Sequence, residues 1–246
     1  MTNRGGSRIG VLVPFTNTNL EPDMMMLAPS GVSLHFTRIG GYDEDEIPDE
    51  NQMAELGASS LDEPLHLLQG AHPDVILYGC TSATLAHGPS FDRDLAAQIK
   101  SQSGALTVTA AGALVAALKV LRVSRIGFAS PYVPSLNDRA IAFLADEGFE
   151  TVSRADHAEP LGNEGQGALS PDAVYDLGLR ADRPDADAIV LSCTDMRSAE
   201  IIERLERALG KPVVTSNQAM MFQSLQVLGA ADPPLGFGEL FERLSA

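Results

Sequence analysis

The sequence predicts an α/β protein of two similar Rossmann-like lobes with parallel sheets, related by a pseudo-twofold, with a site in the cleft between them. Three observations predict it. Short apolar, β-branched runs end in turn residues and alternate with helical patterns, as in strands covered on both faces by crossover helices. The order of these segments repeats once along the chain. The only two cysteines occupy matching places in that repeat, in "ILYGCTSATLAHG" (76–88) and "IVLSCTDMRS" (189–198).

The elements follow in order. "RIGVLVP" (8–14), "DVILYG" (74–79) and "LTVTA" (106–110) are apolar runs bounded by turn or polar residues and read as strands. "GALVAALKVLRV", after Thr109, is long enough and apolar enough for a buried helix. "RIGFAS" (125–130) and "DAIVLS" (187–192) read as strands again. "SAEIIERLERALG", after Met196, spaces its apolar residues at i, i+3 and i+4 and closes on a glycine, so it reads as an amphipathic helix with a left-handed cap. "PVVTS" (212–216) supplies the last strand.

"RIG" at Arg8 returns at Arg125, Cys80 returns as Cys193, and the "VT" ending at Thr109 returns at Thr215, each after somewhat more than one hundred residues. That step is too long for a solenoid and fits a duplicated half. We expect a first lobe over residues 1–115 and a second over 116–216, with the segment from about 217 to 246 crossing back to the first. Each cysteine then lies at the carboxyl end of a strand, where open α/β sheets bind ligands, and the two thiols converge on one cleft.

Composition narrows the partners. The formal charge of −16 disfavours nucleic acid and anionic membrane surfaces, and points to a small molecule. No apolar run is long enough to span a bilayer, and "MTNRGGSRIGVLVPF" lacks the features of a signal peptide, so a cytoplasmic location with free thiols is expected. There is no C-x-x-C or H-x-x-x-H spacing to suggest a metal site. A cysteine between a strand end and a helix N-terminus meets unpaired N–H groups that favour thiolate, which makes a nucleophile or base. A buried cysteine can equally serve as a small apolar residue; duplication of the whole Cys-Thr context weighs against that reading.

"PFTNTNLEPDM", "YGCTSATLAHG", "TAAGALVAALKVL", "RIGFASPYVPSLN", "LGNEGQGALSP", "LSCTDMRS" and "GKPVVTSNQAM", in this order, resemble the maleate cis-trans isomerase branch of the aspartate/glutamate racemase superfamily. That branch is related to arylmalonate decarboxylase and to a racemase-like protein of ectoine utilisation. The resemblance implies a dicarboxylate surrounded by Asn17, Cys80, Tyr132, Asn163 and Cys193, with Cys80 adding to the double bond and Cys193 acting as acid and base. It implies no cofactor, and a homo-oligomer, a dimer or tetramer, as the assembly. Thr81 and Thr194, beside the two thiols, join the candidate donors to the substrate, and Arg197 or Arg139 is available as a further aid.

Each position has a plainer reading. "TNTN" also suits an Asx turn, Tyr132 a packing residue, and the glycine-rich loop around Asn163 either a lid or a surface linker. His87 reads as structural, with orientation of Cys80 as its alternative. The acidic run 42–51 reads as a solvated loop. Two features depart from the family pattern: Asp195, two residues after the second thiol, where a carboxylate would repel a dicarboxylate, and Phe15-Thr16, where small serines are usual.

Four functions remain open at this point. The first is a cofactor-independent maleate-type isomerase, and the second a two-cysteine racemase of an amino-acid-like substrate, possible in ectoine utilisation. An arylmalonate-type decarboxylase is disfavoured, because that activity is associated with a single thiol and a glycine at the first position. The fourth is a non-catalytic small-molecule binding protein.

Overall fold

The six apolar runs become strands of two four-stranded parallel sheets in the computed structural model, which describes residues 6–41, 47–230 and 234–245. In the first sheet β1 (Ser7–Pro14), β2 (Val32–Ile39), β3 (Val75–Tyr78) and β4 (Leu106–Thr109) lie in the order β2-β1-β3-β4. In the second, β5 (Arg125–Ser130), β6 (Glu150–Asp156), β7 (Ala188–Leu191) and β8 (Val213–Thr215) lie in the order β6-β5-β7-β8. The two orders are the same.

The helices are α1 (Leu20–Leu27), α2 (Glu50–Ala58), α3 (Asp62–Gln69), α4 (Thr81–Leu85), α5 (Pro89–Ser103), α6 (Ala110–Leu121), α7 (Pro134–Asp146), α8 (Asn163–Gly167), α9 (Pro171–Arg180), α10 (Ile202–Leu209), α11 (Ser216–Leu228) and α12 (Glu239–Glu242). The helix expected over 198–210 opens as a 3₁₀ turn at Ala199–Ile201 before α10, and Gly210 closes it in the left-handed conformation at φ 64°.

Equivalent residues pin the two sheets in the same way. The backbone N–H of Arg8 donates to Asp74 at 2.8 Å, and that of Arg125 donates to Asp187 at 2.8 Å, so each sheet fastens its first strand to the residue before its third. At the other end Gly79 N donates to the carbonyl of Leu12 and Ser192 N to that of Ala129, both at 2.9 Å. These bonds bring both cysteine-bearing strand ends to the carboxyl edges of their sheets.

The sheets are joined through α6 and α11, which follow the two equivalent strands β4 and β8 and pack against each other. The hydroxyls of Thr109 and Thr215 cap the two helices, accepting from Gly112 N and Gln218 N, and Gln218 completes a capping box. Small residues on α6, including Ala110, Ala111, Ala113 and Ala117, are fully buried and let α11 approach closely. α11 also meets α1, β3 and β4, and one apolar core runs through both sheets. No helix among the described residues is long and apolar enough to cross a membrane.

Candidate active site

The carboxyl ends of the two sheets face a cavity of about 40 Å³. β1 ends in Pro14, and the following turn delivers Thr16 and Asn17 to the wall. From the second half, Tyr132 comes from the passage between β5 and α7, Leu136 from the first turn of α7, Asn163 and Gln166 from α8, and Cys193, Thr194 and Asp195 from the turn after β7. Pro48 and the α2 residues Met53 and Leu56 close one side.

Both cysteines reach this cavity. Cys80 and Cys193 are each 5% exposed, and no disulfide joins them. Gly79 is needed at the approach to Cys80: a Cβ there would lie 2.4 Å from Leu20 and 2.7 Å from the carbonyl oxygen of Leu12, so only glycine lets α1 seat against the end of β3.

The two sulfurs have different surroundings. Cys80 is the N-cap of α4; burial pushes its thiol up, while the Ser82 hydroxyl at 3.6 Å and the N–H groups of Ala83 and Ser82 oppose that shift. After Cys193 the chain makes a turn, and no helix begins until Ala199. Burial pushes the Cys193 thiol far up, and the Asp195 carboxylate adds to the rise, against bonds from Asp195 N at 3.3 Å and the Tyr132 hydroxyl. The expectation of a helix N-terminus lowering both thiols is therefore corrected: only Cys80 has the helix, and desolvation outweighs it at that site.

Hydrogen bonds lock the walls together. Asn17 Oδ1 accepts from Asn19 N at 3.1 Å and Leu20 N at 2.8 Å, a turn that also presents its Nδ2, which donates to Thr194 Oγ1 at 3.0 Å. Thr194 passes the contact on by donating to the Gly79 carbonyl at 2.9 Å, beside Cys80. Both readings of "TNTN" thus hold at once: it is an Asx turn, and it lines the cavity. Thr16 Oγ1 lies 3.3 Å from Asn163 Oδ1, connecting the β1 turn to α8.

Tyr132 is buried with its hydroxyl near Ser192, Ser82 and Cys193; burial raises its ionisation well above the usual phenol range, and charge on either sulfur would raise it further. It remains a neutral donor.

Thr81 is the exception among the expected residues. It does not line the cavity, because its hydroxyl turns away to donate to Ser216 at 2.9 Å, and Ser82 takes the place beside Cys80. His87 bonds the Ala54 carbonyl at 2.8 Å and stacks on Phe91, so orientation of Cys80 is not its part. Arg197 pairs with Glu200, Arg139 is exposed, and neither reaches the cavity. Of the acidic run, residues 42–46 lie outside the described residues, Pro48 lines the cavity and Asp49 caps α2. Among the described residues no cluster of His, Cys, Asp and Glu is arranged to hold a metal ion.

Two polar wall residues were not singled out from the sequence. Ser82 follows the Cys-Thr pair; Gln166 lies three residues after Asn163 and so shares its helical face, a spacing that could have found it once α8 was recognised as a helix. The Cys193 thiol donates toward Gln166 Oε1 at 3.7 Å, and Gln166 Nε2 donates to the Leu161 carbonyl at 3.2 Å.

A family model described as arylmalonate decarboxylase matches residues 9–241. The chain belongs to that family. It is 30% identical to a maleate isomerase of Nocardia farcinica over 98% of both chains. It is 30% identical to the arylmalonate decarboxylase of Bordetella bronchiseptica over 94% of this chain and 92% of that one. A solved structure of the Nocardia farcinica maleate cis-trans isomerase, a cysteine-to-serine variant with a covalently bound succinylcysteine intermediate, superposes with a TM-score of 0.86 at 27% identity, covering 96% of this chain and 98% of that one. Family membership thus admits both an isomerase and a decarboxylase, and the wall residues must separate them.

Proposed function

We propose that the protein is a cis-trans isomerase that converts maleate to fumarate through thiolate addition by Cys80 and proton transfer by Cys193. The observation that carries this reading is the pair of buried, unlinked thiols, one from each half, on the wall of one small cavity. The named activity and the cysteine adduct of the Nocardia farcinica relative support it.

The Cys80 sulfur uses a lone pair to form an S–C bond at C2 of maleate, and the π electrons move toward C3 and its carboxylate. The Cys193 thiol gives its proton to C3, leaving a succinyl thioether and a thiolate. The C2–C3 bond is now single and rotates. Cys193 takes a proton back from C3, the double bond re-forms in the trans geometry, and sulfur leaves C2 with its electron pair. Nothing is oxidised or reduced over the cycle, and both sulfurs return to their starting states.

The developing dianion needs fixed donors more than a counter-cation. Asn17, Tyr132, Asn163 and Thr194 line the wall and serve in this reading as those donors, whereas the Thr81 hydroxyl is spent on Ser216 and takes no part. The second thiol separates the two activities: Cys80 stands where a glycine accompanies the decarboxylase activity, and addition to a double bond needs that sulfur.

Turnover followed by proton NMR tests the proposal. The wild type should convert maleate to fumarate, and Cys80→Ser should reduce conversion to background. If maleate is untouched while an amino acid exchanges its α-proton with deuterated solvent, the function is racemisation instead.

A further inference from the structure

Resting on the two-thiol reading above, we propose that Asp195 is the positioning residue that makes the two cysteines unequal: it holds Cys193 as the thiol acid and leaves Cys80 as the nucleophile. Asp195 is 8% exposed and on the cavity wall. Its own N–H donates to Cys193 Sγ at 3.3 Å. Its carboxylate turns back to the β1 turn, where Oδ1 accepts from Thr18 N at 2.8 Å, Asn19 N at 3.0 Å and Asn19 Nδ2 at 3.2 Å. The contact is close enough that a Cβ on Gly167 of α8 would lie 3.1 Å from Asp195 Oδ2.

All of these partners are neutral, so the turn fixes the carboxylate in place without cancelling its charge. The charged and titratable groups around it are few. Cys193 adjoins it on the same turn, and Cys80 and the Tyr132 hydroxyl share the cavity. From β2, Arg38 donates to the carbonyls of Asn17 and Pro14 and pairs with Glu21, and Arg197 pairs with Glu200; neither forms an ion pair with Asp195. From α1, Asp23 is engaged by Asn217, Ser198 and Ala199, and on α8 Glu164 is exposed.

Burial raises Asp195 itself to about 6 against the bonds from Thr18 and Asn19, so from neutral pH upward it is a negative charge close to Cys193 and disfavours a second one there. Cys193 therefore keeps its proton and is ready to deliver it to carbon. The same charge reaches Cys80 more weakly, and there the hydroxyl and amide N–H groups at the start of α4, which favour thiolate, outweigh it. The same carboxylate also fastens the turn carrying Asn17 to the strand end carrying Cys193, so the charge and the geometry of the acid share one residue. The carboxylate that departs from the family pattern and looked hostile to a dicarboxylate is held against the β1 turn, while its own N–H bonds the Cys193 sulfur.

The test is the pH dependence of iodoacetamide alkylation at each cysteine, read by peptide mass spectrometry on the full chain without substrate. Access is common to the wild type and its variants, so the change in the ratio of the two rates on removing the Asp195 charge reports thiolate fraction. In the wild type Cys193 should lag Cys80 from neutral to mildly alkaline pH. Asp195→Asn keeps an oxygen for the Thr18 and Asn19 N–H groups but removes the charge; it should raise Cys193 alkylation about tenfold and Cys80 alkylation by a clearly smaller factor. Asp195→Glu, which keeps the charge, should preserve the lag. Equal rates in the wild type overturn the proposal without any variant, as does an unchanged ratio in Asp195→Asn. A uniform rise at both sulfurs also overturns it, because that outcome means a loosened cavity. A protein that fails to turn over maleate yet shows the charge-dependent lag would sink the isomerase reading and leave this one standing.

Discussion

Tyr132 brings a hydroxyl to the Cys193 sulfur and to Ser82, beside Cys80, without adding a charge, because burial keeps the phenol neutral. Tyr132→Phe removes one oxygen and little packing. With maleate it should lower kcat about a hundredfold, the usual cost of losing one preorganised donor, while the melting temperature stays close to that of the wild type. A steady-state kcat within about twofold of wild type would remove Tyr132 from the proposed mechanism. At this scale the sequence was informative about which residue types crowd the cysteines and less so about their directions. The contexts of Cys80 and Cys193, Asn17 and Asn163 all mark parts of the cavity wall. Thr81 and Ser82, by contrast, are adjacent hydroxyls, and only the turn from β3 into α4 decides that Ser82 faces Cys80 while Thr81 faces Ser216. The direction of the Asp195 carboxylate was likewise set by the turn of the other half, Thr18 and Asn19, far away in sequence.

Among the elements, the strands legible in the sequence are those that burial makes uniformly apolar. β3 and β7 are buried at every residue and read as unbroken apolar runs. The two strands the sequence did not disclose are β2 and β6, which occupy the equivalent edge of each sheet. Their residues are mostly half-buried, and "VSLHFTRI" and "ETVSRAD" carry charged and polar side chains that an edge position tolerates. The helices show the same division. α6 is declared by its long apolar run, whereas α8 is a five-residue turn inside a glycine-rich stretch that reads equally well as a loop, although it carries Asn163 and Gln166 to the wall.

For the whole molecule, the contact between the halves contains buried carboxylates that make its strength depend on pH. Asp23 on α1 accepts from Asn217 Nδ2 at 2.8 Å and from Ser198 and Ala199 in the opposite half. Burial raises it from 3.8 to about 6 despite those bonds. The folded state therefore holds a proton that the unfolded chain has already lost between these values. The resulting stabilisation is present at acid pH and disappears as pH rises through about 6; the full shift corresponds to about 3 kcal/mol. Urea midpoints at pH 5 and pH 7 should differ less in Asp23→Asn than in the wild type, and an equal difference would mean that Asp23 does not titrate in this range.

The central claim is that two thiols, brought together by a duplicated half, do different jobs on one substrate. Intact-protein mass of Cys193→Ser after incubation with maleate tests it most directly. Loss of the base that takes the C3 proton back should trap one diacid on the chain, its C3 protonated from solvent; peptide mapping should place it on Cys80, and Cys80→Ser should carry none. A Cys193→Ser protein that stays unmodified while the wild type makes fumarate, or an adduct that persists in Cys80→Ser, would contradict the assignment of the two sulfurs.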